Sequence, residues 1–262
     1  AGFYVPGFPE DGICDDPALK DEIQTFTLTR IESEKDISRL FSLCTMESIA
    51  DNVARTYVSI NNALMKGLDT PESLVSILTK TVEKYKDSIE IIPFLGLGGG
   101  QAENYSAQAV ASAFSLLGSG VFRGIDIYGD DPLHSAALEK IAKSAKQHGL
   151  KLKLHGSEKN RSGGGLLRLE PDEVTGDGDY LRAHTDFFTA RNIPVNFIPR
   201  HAKKNPGKCA EDLRTMLDAG ITVRLCTDNI LLHNCSISEF ATELCNTGVF
   251  TKEELVSLIA AK

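Results

Sequence analysis

The chain has 262 residues, 42% of them hydrophobic, with a formal net charge of −8 and a pI near 5.3. These values suit one globular domain with a sizeable core over residues 1–262, and they argue against nucleic acid or an anionic membrane surface as a partner. No apolar run approaches the roughly 18 residues that a membrane-spanning helix needs.

The six cysteines form no CxxC pair and no zinc-ribbon spacing. Several lie in apolar or helical contexts, where buried free thiols are common. We therefore expect a reducing compartment, the cytoplasm.

The first third of the chain has weak patterning. Residues 23–31 alternate loosely and predict a strand or an irregular connector, whereas residues 34–66 have the apolar spacing of a helix. Thr70 and Pro71 then begin a helix, as an N-cap and a first-turn proline.

From residue 89 onward, strand patterns alternate with helical patterns about every 30 residues. This alternation predicts a parallel sheet with right-handed crossovers, and hence the α/β class. A (β/α)₈ TIM-barrel-like fold with an atypical or incomplete N-terminal part fits best, and a doubly wound open sheet is the fallback. The predicted strands are residues 89–95, 122–128, 150–155, 194–199 and 221–227.

Polar residues collect where these strands end, the edge at which parallel α/β proteins bind ligands and metals. Asp130 follows the second strand, His155 and Glu158 the third, and Asp228 and Asn229 the last. An imidazole and a carboxylate at strand ends can ligate one divalent metal, and a second carboxylate can shuttle protons. The plainer alternatives are a structural histidine and a carboxylate that caps the following element.

Three of these strand ends resemble motifs of the adenosine deaminase family of metal-dependent amidohydrolases. Residues 121–131, VFRGIDIYGDD, resemble the family's GIDLAGDE segment, and residues 152–158, LKLHGSE, resemble its HAGE segment. Residues 223–231, VRLCTDNIL, are similar to its SLNTDDP segment. The order and spacing agree, and the similarity covers about residues 70–262.

The resemblance implies a hydrolytic deaminase in which zinc-activated water displaces the amino group of a purine nucleoside or related heterocycle. It makes His155 and Asp228 zinc ligands, and it makes Glu158 the acid that protonates the purine ring. Asp177, within Gly176-Asp177-Gly178, would stand in for the histidine of the family's GHG segment and orient the attacking water.

The resemblance also implies a small-molecule binding surface. Gly129 would offer its backbone N–H to a ring nitrogen, with Asp130 beside it. Asn229 would lie where the family has a second purine-contacting carboxylate.

The chain departs from the family at the metal site. The family's first strand carries a His-x-His pair, and no such pair exists anywhere in this sequence. Two protein ligands are fewer than the three that a catalytic zinc usually has. Asp126 or Asp177 could complete a rearranged site; the alternatives are that the amino terminus of the chain is missing or that the site has been lost.

Two other functions stay open on the same scaffold. Missing metal ligands and the glycine-rich residues 96–101 suit a non-catalytic binder of nucleosides or phosphorylated ligands. A metal-independent barrel enzyme would use a lysine, since Lys151 and Lys153 share one face of a strand. That function requires a barrel-facing lysine with a depressed pKa.

Overall fold

The computed structural model describes residues 31–61, 64–65, 68–98, 107–128, 136–156, 167–198, 205–227 and 236–260. Within these ranges the helices are α1 (Glu34–Ala50), α2 (Pro71–Tyr85), α3 (Ala107–Gly118), α4 (Ala136–Gln147), α5 (Gly178–Ala183), α6 (Thr185–Arg191), α7 (Pro206–Asp218), α8 (Ile237–Asn246) and α9 (Lys252–Ala260). The strands are β1 (Arg55–Asn61), β2 (Glu90–Gly98), β3 (Gly124–Tyr128), β4 (Lys151–His155), β5 (Glu173–Gly176), β6 (Val195–Phe197) and β7 (Val223–Leu225).

All seven strands belong to one sheet in which each strand pairs in parallel with the next along the chain. A doubly wound sheet would reverse the strand order at a switch point, and no reversal occurs among the described strands. The α/β, TIM-barrel-like class predicted from the sequence is therefore confirmed.

The two faces of the sheet differ in chemistry because successive side chains point to opposite sides. One face packs against the helices through buried aliphatic residues, among them Ile125, Leu152 and Val174. The inner face carries buried polar groups at the alternate positions, among them Asp126, Lys153 and Glu173. An inner face of this kind can hold a polar site, provided that its charges are paired.

The sheet curls so that its first and last elements meet. Asp51, which follows α1, accepts hydrogen bonds from the backbone N–H groups of Ile237 at 2.9 Å and Ser238 at 3.3 Å. These two donors are unpaired first-turn groups of α8, so a residue near the start of the described chain helps to cap a helix near its end.

Two elements differ from the sequence-based expectations. Residues 34–66 are not one helix, because α1 ends at Ala50, Asn52 takes a left-handed conformation with φ 57°, and β1 follows. Strand β5 is only four residues long, too short to show a period of two. At the start of α9, Thr251 and Glu254 form a capping box through reciprocal hydrogen bonds of 2.8 and 3.1 Å.

No helix within the described ranges has the length and apolarity needed to cross a membrane.

Gly124 leaves room for the Phe94 ring on the inner face of the sheet. Its β-carbon, if it had one, would lie 2.3 Å from the carbonyl oxygen of Lys151 and 2.6 Å from Cε1 of Phe94. Phe94 is fully buried, and the Lys153 ammonium lies 5.6 Å from the centre of its ring. The missing side chain at Gly124 therefore leaves room for the ring beneath the buried lysine.

We expect Gly124→Ala to lower the free energy of unfolding by about 1–3 kcal/mol, since overpacking forces the strand backbone or the Phe94 ring to move. Gly118→Ala is the matched control, because nothing lies within 4 Å of the added methyl group. Urea denaturation followed by circular dichroism measures both variants. Equal midpoints for the two would contradict the packing described here.

Candidate active site

His155 lies at the carboxyl end of β4, half-buried, with its Nδ1 atom 3.7 Å from Oδ2 of Asp126. Asp126 lies one strand away, in the middle of β3, and is fully buried. The registers of β3 and β4 pair Asp126 with Lys153, two residues before His155 on the same face of its strand. The sheet therefore brings an imidazole, a carboxylate and an ammonium together at its carboxyl edge.

The Asp126 carboxylate is ionised in spite of its burial. Burial alone would raise its pKa, but the neighbouring Lys153, His155 and Ser59 lower the pKa to about 2. Ser59, from β1, donates its hydroxyl hydrogen to Oδ2 of Asp126. A buried charge of this kind is stable only because cationic and donor groups surround it.

Lys153 is the main cationic partner. It is 5% exposed, and its Nζ atom lies 3.4 Å from Oδ2 of Asp126. Burial disfavours the ammonium form, but Asp126, Cys226 and Glu173 raise the pKa of Lys153 above its usual value. A lysine amine acts as a base or nucleophile only when neutral, so this pKa does not support the metal-independent lysine enzyme.

A second ion pair, in which only the carboxylate is buried, continues the inner face toward the last strand. Glu173 on β5 is 3% exposed and accepts a hydrogen bond of 3.1 Å from Nη1 of Arg224 on β7. This side-chain contact passes over β6, where Asn196 donates to Thr175 at 3.1 Å. Charges of alternating sign thus line the inner face from β3 to β7.

Asp177 lies directly after β5 and serves as the N-cap of α5, accepting a hydrogen bond of 3.0 Å from the backbone N–H of Tyr180. Its carboxylate therefore has a structural function at the strand edge. The orienting role expected for Asp177 stays a prediction.

Gly156 stands where the family's HAGE segment has alanine, and Tyr180 fills the vacated space. A β-carbon at Gly156 would lie 1.9 Å from Cε1 of Tyr180. The Tyr180 ring is buried, and its centre lies 4.7 Å from the centre of the His184 ring. The absence of a side chain at Gly156 therefore leaves room for the Tyr180 ring.

Five of the candidate residues lie outside the described residues. Along the chain, two of them come after β3, one comes after β4 and two come after β7. They are Gly129, Asp130, Glu158, Asp228 and Asn229.

Among the described residues no group of three histidine, cysteine, aspartate or glutamate side chains could hold a metal ion. His155 and Asp126 form a pair, and Oδ1 of Asp126 is buried without a hydrogen-bond partner. These two side chains are fewer than the three protein ligands that a catalytic zinc usually has, so a metal site here would need a further donor from outside the described residues.

Three residues of the inner face were not expected from the sequence: Ser59, Glu173 and Arg224. Strands covered on both faces usually read as nearly continuous apolar runs. A charged residue within such a run, like Asp126 in GIDIY or Lys153 in LKLH, is the signal that marks the inner face.

Comparison with known proteins bears on the family resemblance and on the fold. No family model matches the chain. A Treponema pallidum protein described as an adenosine/adenine deaminase is 24% identical over 276 aligned positions, which cover the whole chain and 90% of that protein.

Two solved structures share the fold. Arabidopsis ADAL complexed with IMP has a TM-score of 0.69 at 15% identity, covering 92% of this chain and 74% of its own. A Burkholderia ambifaria amidohydrolase with bound zinc has a TM-score of 0.60 at 15% identity, covering 88% and 72%.

The fold is thus shared with the TIM-barrel amidohydrolases. Within that fold, the resemblance to the adenosine deaminase family is confirmed, because the chain is similar over most of its length to proteins described as adenosine or adenine deaminases.

We expect Lys153→Met to lower the free energy of unfolding by about 3–5 kcal/mol, because Asp126 would be left as an uncompensated buried charge. Lys151→Met is the matched control on the same strand face, where the side chain is exposed; its effect should stay within about 0.5 kcal/mol. Thermal unfolding at pH 7 compares the two. A Lys153→Met variant as stable as the control would show that the pair contributes nothing.

Proposed function

We propose that the chain is a deaminase-like hydrolase that removes an amino group from a purine nucleoside, a purine nucleotide or a related heterocycle. The observation that carries this proposal is His155. It stands at the carboxyl end of β4, in the segment that resembles HAGE, beside an ionised carboxylate on the neighbouring strand. The similarity to a deaminase over the whole chain supports the same activity.

His155 and Asp228 would hold a zinc ion at this edge of the sheet. When bound, zinc supplies the Lewis acidity that makes water nucleophilic near neutral pH. A solved structure with the same fold and bound zinc supports this choice of metal.

The remaining groups would handle protons and water. Glu158 would protonate the ring nitrogen next to the carbon under attack, so that the ring accepts the electron pair. Asp177, at the end of β5, would accept a hydrogen bond from the attacking water and fix its direction.

Groups that follow β3 and β7 would bind the substrate. The backbone N–H of Gly129 would donate to a ring nitrogen, with Asp130 and Asn229 completing the polar contacts. The Arabidopsis structure complexed with IMP supports a purine ligand for this fold. No contact among the described residues favours a non-catalytic binder over a hydrolase.

A reducing compartment such as the cytoplasm fits the thiols. None of the described cysteines, which are Cys44, Cys209, Cys226 and Cys245, forms a disulfide bond.

The activity is tested with Asp228→Ala and His155→Ala, each of which should abolish deamination while leaving the fold intact. Ultraviolet spectra of adenosine, adenine and AMP, together with ammonia release, measure turnover. Circular dichroism measures folding. Asp218→Ala serves as the control, since Asp218 is an exposed carboxylate at the end of α7.

A fully active Asp228→Ala variant would refute the assigned role of Asp228. A wild-type chain that is folded and loaded with zinc but deaminates none of the three substrates would refute the proposed activity.

A further inference from the structure

A groove lies on the helix side of the sheet, away from the inner face that carries His155 and Asp126. It has a volume of about 400 Å³ and is formed by α6 and by the segment that leads into β5. Leu167, at its base, belongs to the aliphatic core that packs between the sheet and the helices. The groove is therefore distinct from the candidate active site. Among the described residues its walls are Leu167, Arg168, Glu170, His184, Phe187 and Arg191.

The described walls of the groove carry more positive than negative charge. Arg168 and Arg191 contribute exposed guanidinium groups, and His184 adds a half-buried imidazole. Glu170 is the single carboxylate among these wall residues, and Nζ of Lys146 lies 3.8 Å from it. A concave surface with this surplus attracts anions, although the whole chain has a net charge of −8.

Arg191 is held in place by an aromatic ring and not by a carboxylate. Its guanidinium carbon lies 4.1 Å from the centre of the Phe187 ring, and no acidic side chain pairs with it within the described part of the chain. In such a stack the ring covers one face of the guanidinium, while the N–H groups at its edge can still donate. Because the planar fork is partly pre-organised, less entropy is lost when it binds the oxygens of an anion.

The His184 ring is fixed in a similar way. Its Nδ1 atom lies 3.0 Å from the carbonyl oxygen of Tyr180 and donates a hydrogen bond to it, which leaves Nε2 as the nitrogen that can contact a ligand. The centre of the Tyr180 ring lies 4.7 Å away, and this contact limits the movement of the imidazole. Two of the polar groups in the groove are thus positioned before any ligand binds.

The groove also has an apolar part, formed by the buried side chain of Leu167 and the half-buried ring of Phe187. Sites for small molecules usually have volumes of about 300–1,000 Å³ and combine apolar walls with a few placed polar groups. A phosphate monoester carries a charge of about −1.5 to −2 at pH 7, so it gains more from two guanidinium groups than a carboxylate does. A small apolar body with a phosphate head therefore matches both parts of the groove.

From these observations we infer that the groove is a second ligand site, separate from the proposed catalytic one, and that it binds a small organic phosphate. Arg168 and Arg191 contact the phosphate group, and Nε2 of His184 adds a polar contact. Leu167 and Phe187 contact the apolar part of the ligand. The inference does not depend on the proposed deaminase activity, because none of these residues lies at the strand edge.

Isothermal titration calorimetry with phenyl phosphate tests the site, at an ionic strength held constant with sodium chloride. Wild type should bind this probe, and Arg191→Gln should weaken the affinity by about 10-fold or more, as expected when a charge-assisted hydrogen bond is lost. Arg168→Gln is an independent second variant with the same expected loss. Arg39→Gln is the matched control, since Arg39 is an exposed arginine on α1, and it should bind as wild type does. Circular dichroism checks that each variant is folded.

Inorganic phosphate is the second probe, because it lacks the apolar part, and it should bind about 10-fold more weakly than phenyl phosphate. Equal affinities for the two probes would overturn the assignment of an organic ligand. Wild-type affinity for phenyl phosphate in both Arg191→Gln and Arg168→Gln would overturn the inference, since the probe would then bind elsewhere. The same loss in Arg39→Gln, or no binding of millimolar phenyl phosphate by the folded wild-type chain, would overturn it as well.

Discussion

The buried pair of Asp126 and Lys153 is the interaction on which the inner face depends. The two residues face each other in register on β3 and β4, and each is nearly inaccessible to solvent. Removing one partner from such a pair is strongly destabilising, whereas replacing both with apolar groups is often neutral. The pair is therefore weak evidence for stability and better evidence that a charge is needed at this place. Glu173 and Arg224 repeat the arrangement between β5 and β7, so the interior carries balanced charges where barrel interiors usually carry branched aliphatic side chains.

The two faces of the sheet contribute to the fold in different ways. The outer face packs an aliphatic core against the helices, whereas the inner face holds charges that must be paired. Contacts on this side of the structure are close: the ring of Tyr180 fills the space beside Gly156, and Lys153 faces the carboxylate of Asp126. Substitutions at residues in such direct contact are expected to be non-additive, because the residues share one interaction energy.

Long and periodic patterns in the sequence predict much of this structure. Strands β2, β3, β4, β6 and β7 and the strand-end position of His155 are confirmed. Strand β1 is not recognisable in the sequence because Val53, Tyr57 and Ile60 continue the apolar spacing of α1. The break between the two elements shows only in the structure, where Asn52 takes a left-handed conformation. Strand β5 was missed because four residues cannot display a period. The contact of Lys153 with Asp126 depends on the register of two strands about 27 residues apart, which local patterning does not specify. The roles of Glu158, Asp228, Gly129, Asp130 and Asn229 stay predictions, as these residues lie outside the described part of the chain.

The hydrogen bond from Ile237 to Asp51 has a consequence for how the chain folds. It joins residues 186 positions apart, and a sheet built from consecutive parallel strands adds further contacts of long sequence separation. Folding slows as the mean sequence separation of contacts grows, because loop entropy is lost before such contacts form. During synthesis the first turn of α8 reaches Asp51 only after all seven strands have left the ribosome. Until then the Asp51 carboxylate is solvated, and the incomplete sheet exposes an edge strand that can pair with other chains.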